Sequence, residues 1–276
     1  MFTREQVVDA NIKLHSHLAD KYKDSEPHYR KENIESVTKI IKKIQAEKNS
    51  DNLLDVGCGM GFMIDIAKNY VKQIRGIDIT QAMIDKIKIE EGEDIKVMIS
   101  EIENMPFSNN EFGIVTAYAV LHHLHDLHDA FKEIFRVLRE GGVFYTALDP
   151  NYYFWKELST LDEDKKYSDI VIRELNAVKH KDDELESEFG VDKEILAKAE
   201  KLKHIDGGLK EEELVSILKA VGFRKVEIRY EWYLGEGKYI NDAEKSKYSE
   251  EIKDYLKAVL PLSKHLFKYV SIYAEK

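Results

Sequence analysis

The chain has 276 residues, 34% of them charged, and a net charge of −10, which is long enough to bury a full sheet with its covering helices. The acidic balance excludes a broad electrostatic attraction to polyanions, so no nucleic-acid partner is expected. No apolar stretch approaches the roughly 20 residues that span a bilayer, no leader pattern opens the chain, and the single cysteine, Cys58, excludes an internal disulfide, so a cytoplasmic protein without a membrane partner is expected.

The first fifty residues read as helix. Val7, Val8, Ile12 and Leu14 mark an early helix, and Pro27 interrupts the pattern. Ile34, Val37, Ile40, Ile41 and Ile44 then recur at three- and four-residue spacing. At residues 52–56 the pattern changes to a short apolar run ending in glycines, as a buried parallel strand does. Residues 62–70 read as helix and 73–78 as a second strand. Thr80 opens a third helix expected to reach Glu91. Residues 95–99 and 112–118 read as strands. An amphipathic helix over 129–139 is expected to stop at Gly141-Gly142, before a fifth strand over 143–148. This alternation predicts one α/β domain with a mostly parallel sheet covered on both faces.

After Pro150 the alternation lapses. Residues 150–207 open with Tyr152, Tyr153, Phe154 and Trp155 and continue as charged helical sequence. They read as an inserted helical cap with a solvated face, or as a contact surface of a homodimer. A helix over 211–220, a strand over 224–230 and a last strand near 267–273 complete the pattern.

One segment carries chemistry. Asp55-Val56-Gly57-Cys58-Gly59-Met60-Gly61 lies between the first strand and its helix. Glycines there permit positive φ and close backbone approach, at the strand ends where open α/β sheets bind ligands. The dinucleotide fingerprint is G-x-G-x-x-G; here the third glycine comes one residue early, which disfavours a nicotinamide cofactor. Asp55, two residues before the first glycine, would repel a pyrophosphate but suits an α-amino group. Asp78, ending the second strand, suits ribose hydroxyls. Together they describe a nucleoside with a zwitterionic tail and no phosphate, the chemistry of S-adenosylmethionine.

Residues 53–61 resemble the first motif of the class I S-adenosylmethionine-dependent methyltransferases, and Gly76-Ile77-Asp78 resembles their second. Glu101-Ile102-Glu103-Asn104-Met105-Pro106-Phe107 is similar to a segment of the small-molecule branch. The stretch from His122-His123-Leu124 to Gly141-Gly142, and residues 209–223, continue the likeness. The resemblance implies a Rossmann-like seven-stranded sheet in the order 3-2-1-4-5-7-6, strand seven antiparallel. It implies cofactor contacts from Asp55, Gly57, Cys58, Gly59, Gly61, Asp78, Ile79, Met83, Glu101, Ile102 and Tyr118. Residues 1–48 would form a helical lid over the cofactor. Two positions depart from the family pattern. Glu101 stands where an aspartate usually meets the adenine, and Gly113 stands where strand four usually carries an aspartate.

Other residues hold two readings. His122, His123, His125 and His128 with Asp126 and Asp129 could form a metal site or supply a base. A His-His-Leu stretch without metal is ordinary in the family, so no metal is expected, and His122 and His123 are the catalytic candidates. Tyr22, Tyr29, Tyr152 and Trp155 are substrate candidates, against a role in packing the helices. The resulting expectation is methyl transfer to a small-molecule acceptor. The alternatives are a non-catalytic cofactor-binding module and a protein or RNA methyltransferase. The asparagine–proline–proline–aromatic signature of many amide- and base-methylating enzymes is absent after strand four, where Tyr118-Ala119-Val120-Leu121 stands.

Overall fold

A computed structural model describes residues 2–162, 165–179, 192–242 and 244–276. Seven strands form one sheet: β1 (Asn52–Val56), β2 (Gln73–Asp78), β3 (Asp94–Ile99), β4 (Phe112–Tyr118), β5 (Leu138–Pro150), β6 (Lys225–Tyr233) and β7 (Phe267–Glu275). Their order is β3-β2-β1-β4-β5-β7-β6. β1 to β5 run parallel, and β7 lies antiparallel between β5 and β6. The expected order and the antiparallel strand are both observed. Parallel central strands are buried on both faces, and β4 is accordingly buried along almost its whole length.

Each face has its own core. On one side, helix Leu127–Val137 presents Leu127, Ala130, Phe131, Ile134 and Val137 at helical spacing and packs with Phe112, Phe144 and Leu218. Asp126 caps that helix, accepting from the His128 amide at 2.8 Å. Burying Phe131 and Ile134 completely contributes roughly 1.5–3 kcal/mol each. On the other side, Val37, Ile41 and Ile44 of helix Lys31–Lys48 close over Phe62, Ile64 and Ile74. No helix among the described residues is long and apolar enough to cross a membrane.

Several elements differ from expectation. The helix expected to reach Glu91 stops at Ile84; Ile87 still packs against the core, but beyond it the chain finds no apolar surface, and Ile89 is 43% exposed. The helix after β4 ends at Val137, not at Gly141-Gly142, because Leu138 already pairs with Phe112 in the sheet. Between β6 and β7, helices Glu236–Ile240 and Ser246–Ala258 were not anticipated. Their polar sequence has a weak apolar rhythm, carried by Ile252 and Leu256 against the core.

The N-terminal helix Arg4–Leu18 starts with a capping box made by Thr3 and Gln6. Its Ala10, Leu14 and Leu18 pack on Leu196 and Ala199 of helix Lys193–Ala199. This contact joins the beginning of the chain to the segment after β5, over the carboxyl ends of the strands. Of the charged stretch expected to form the cap, residues 163–164 and 180–191 lie outside the described residues.

Candidate active site

The turn after β1 is built by backbone demands. Gly57, Gly59 and Gly61 have φ of 66°, 49° and 86°, a region that L side chains avoid. A Cβ on Gly57 would also sit 2.6 Å from Val120 Cγ2, whereas one on Gly59 would meet open space. Gly57 is therefore needed for packing as well as conformation, and Gly59 bares its backbone toward the cleft. The Cys58 amide donates to the Ile77 carbonyl at 2.9 Å, tying the turn to β2.

Asp78 ends β2 at the mouth of this turn. One carboxylate oxygen accepts from the Gly59 amide at 2.9 Å and the other from the Thr80 amide at 2.8 Å. Beyond it opens a cleft of about 770 Å³, counting its open mouth. Gly57, Gly59, Asp78 and Ile79 border it, as do Met83, Glu101, Ile102 and Tyr118. Most of the expected cofactor contacts thus share one cavity.

Three do not border it. Asp55 is 1% exposed beneath the turn, where Thr116 Oγ1 donates to its carboxylate at 2.8 Å. Burial pushes its pKa up to about 7, opposed by the Thr116 bond and aided by the charge of Asp78. Cys58 turns its side chain into the core, where burial and the two aspartates push the thiol well up. Gly61 faces Ile87. All three shape the turn from below, because its three positive-φ residues bring only the outer backbone to the cavity.

Glu101 borders the cleft but is clamped by the Arg4 guanidinium in a short ion pair, with Glu103 3.5 Å from the same group. The opening of the N-terminal helix is thereby pinned across the site. Tyr118 donates its hydroxyl to Asn33 Oδ1 at 2.9 Å, and burial pushes its pKa up. The glycine at position 113 also has a local cause. A Cβ there would lie 2.1 Å from Ser50 Oγ, and the Gly113 amide instead donates to Asn52 Oδ1 at 2.9 Å. The side chain of Asn52 supplies an acceptor near the place of the missing aspartate.

A second chamber of about 1160 Å³, likewise counting its opening, adjoins the first. His15, Tyr22, Ala119 and His123 border both, so the two form one bipartite cleft. Phe154 and Trp155 wall the second chamber, and the buried Trp155 Nε1 has no hydrogen-bond partner. Tyr22 and Trp155 therefore reach the cleft. Tyr29 does not; it packs edge-on against Phe62 at 5.4 Å. Tyr152 borders a separate depression beside Gly207, under the Lys210 ammonium at 4.7 Å.

The four histidines separate. His125 Nε2 meets the Phe2 carbonyl at 3.0 Å, and His128 sits at the surface beside Asp129. His122 and His123 face the second chamber. His122 Nδ1 lies 2.9 Å from Asp149 Oδ1, and His123 Nδ1 lies 3.2 Å from the Ala199 carbonyl. Burial pushes Asp149 up to about 7. Burial, with His122 and His15 adding to it, drives His123 well below its ordinary value, so it is neutral.

Sequence reasoning missed Asn11, His15 and Glu200, all of which border the cleft. Asn11 and His15 stand four residues apart, one turn of a single helix face, and that spacing was a usable signal. Glu200 had none, because only the tertiary contact brings it to the histidines.

The sheet order and this cleft are similar to those of class I S-adenosylmethionine-dependent methyltransferase domains. Residues 54–146 match the methyltransferase domain family. The chain is 34% identical over 113 residues to a malonyl-[acyl-carrier protein] O-methyltransferase of Legionella pneumophila, spanning 39% of each chain. It is 31% identical over 107 residues to the uncharacterised methyltransferase YcgJ of Bacillus subtilis, spanning 36% of this chain and 42% of that one. The matched segment is thus about two fifths of the curated relatives' length. Among solved structures, YcgJ has a TM-score of 0.54 at 18% identity, covering 88% of this chain and 98% of that one. A methyltransferase from Archaeoglobus fulgidus has the same score and identity, covering 88% and 94%.

Proposed function

We propose that the protein binds S-adenosylmethionine in the first chamber and transfers its methyl group to a small-molecule acceptor in the second. The observation that carries this reading is the bipartite cleft, in which Asp78 and the bare Gly59 backbone lie on one side and His122 and Trp155 on the other.

The residues present fit such a cofactor. Asp78 offers fixed carboxylate oxygens to ribose hydroxyls, and Ile79, Met83 and Ile102 offer apolar surface to an adenine. Asn11 Oδ1 is buried with no hydrogen-bond partner while its amide nitrogen is held by the Val7 and His123 carbonyls at 2.9 and 3.0 Å. That orphaned acceptor on the cleft wall suits a ligand N–H. Asp55 lies too deep for direct contact and supports the turn from beneath through its bond with Thr116.

When bound, the cofactor supplies an electrophilic methyl carbon on a sulfonium sulfur. The protein's part is to align the partners and exclude water. His123 and Tyr22 border both chambers and so line the passage between the two reactants. Residues 1–48 would act as the lid and 150–207 as the cap, a reading supported by the packing of Leu14 and Leu18 on Leu196.

Calorimetry with S-adenosylhomocysteine, followed by a panel of small hydroxyl, amine and carboxylic acid acceptors with labelled cofactor, tests the proposal. Binding in a one-to-one ratio with transfer to an acceptor is expected. No binding overturns the reading. Binding without transfer to any acceptor favours a non-catalytic module.

A further inference from the structure

We propose that His122, His123 and Glu200 bind a divalent first-row transition-metal ion in the second chamber. One ligand atom from each of the three lies within 4.8 Å of those of the other two. Ligands about 2.1 Å from an ion stand roughly 3–3.4 Å apart, so side-chain adjustments of about 1.5 Å or less complete the site.

The surroundings of the two imidazoles are those of metal ligands. A ligating histidine directs its other ring nitrogen to a carboxylate or a backbone carbonyl, which fixes the tautomer and orients the ring. His122 does this with Asp149 at 2.9 Å, and Thr146 Oγ1 in turn donates to Asp149 at 3.0 Å. His123 does it with the Ala199 carbonyl at 3.2 Å. Each ring then carries its lone pair on Nε2. Residue 199, whose carbonyl orients His123, immediately precedes Glu200, so one short segment supplies both an outer partner and a ligand.

Glu200 accepts from Lys203 in a short ion pair and from His204 Nε2 at 3.0 Å. Both bonds fall on Oε2, and no donor among the described residues is recorded at Oε1. Lys203 competes with a cation for the charge of Glu200, and the Oε1 lone pairs are the ones offered to an ion. Two imidazoles and one carboxylate suit zinc, iron, cobalt or manganese, and leave coordination positions open. Those positions face a chamber that adjoins the methyl-donor side through His123. The ion would hold an oxygen donor of the acceptor there, a role that rests on the methyl-transfer reading; the ion site itself does not.

Tag-free protein, stripped with chelator and dialysed against zinc or cobalt(II), tests the site. The expected result is one equivalent of retained metal and a visible cobalt ligand-field spectrum. Glu200→Gln and His122→Ala should weaken binding at least tenfold, and His128→Ala, which alters a surface histidine, should leave it unchanged. If a variant fails to fold, as judged by circular dichroism, the wild-type cobalt spectrum and a metal-dependent rise in Tm still decide. No retained metal and no spectrum in the wild type overturn the proposal, as does unchanged affinity in folded Glu200→Gln. Calorimetry with S-adenosylhomocysteine on the same sample separates the two claims. Cofactor binding without metal sinks the metal site alone, and metal without cofactor binding sinks the transfer reading alone.

Discussion

Gly59 and Asp78 are locked together across the mouth of the cleft, the amide donating to the carboxylate at 2.9 Å. With the Thr80 amide on the other oxygen, the carboxylate is held by two backbone donors and keeps its remaining lone pairs for a ligand. Asp78→Asn replaces one acceptor with an NH₂ group that faces a backbone N–H. Loss of a charge-assisted hydrogen bond costs roughly 1.5–3 kcal/mol. Affinity for S-adenosylhomocysteine should therefore drop at least tenfold in calorimetry, with the fold intact by circular dichroism. An unchanged affinity would remove Asp78 from the binding site.

Asp55 gives stability a definite pH dependence. Its folded pKa of about 7 lies above the ordinary aspartate value. Between about pH 4 and 7 the folded protein keeps a proton that the unfolded chain releases. Its contribution to stability therefore falls as pH rises through that window and is level above it. At 1.36 kcal/mol per pKa unit the whole effect is up to about 4 kcal/mol. Asp55→Asn keeps an acceptor for Thr116 and removes the titration. Urea midpoints measured between about pH 5 and 8 should show a flatter profile for the variant. Asp149, pushed up in the same direction, leaves a residual slope. Identical profiles for the two proteins would refute the assignment.

Gly113 and Ser50 form a matched pair. Restoring the family's aspartate by Gly113→Asp would drive its Cβ to 2.1 Å from Ser50 Oγ, and overpacking of this kind costs about 1–3 kcal/mol. Adding Ser50→Gly should recover a large part of that loss. Thermal unfolding of the two single variants and the double variant measures the coupling. Additive losses would show that the two positions do not share this space.

The strand alternation and the glycine turn were legible because they depend on local chemistry. Asn52–Val56 and Phe112–Tyr118 are apolar runs that have no stable place except a buried sheet. The positive φ of Gly57, Gly59 and Gly61 is written in residue type alone. The end of the helix after Thr80 was less legible, because Ile87 and Ile89 keep an apolar rhythm while only Ile87 finds core surface to pack on. The same limit applied to the site. Cys58 and Gly61 share a motif with Gly57 and Gly59, yet the twist of the turn points them inward.

Residue order by itself determined a doubly wound sheet, the place of its ligand edge and the acid that guards it, since periodicity and turn chemistry act over a few positions. Folding in three dimensions decided which polar groups meet. It set Asp55 under the turn, dispersed His125 and His128, and carried Glu200 to His122 and His123. Such meetings depend on packing between segments far apart in the chain, as where Leu14 settles on Leu196, and no short-range pattern encodes them.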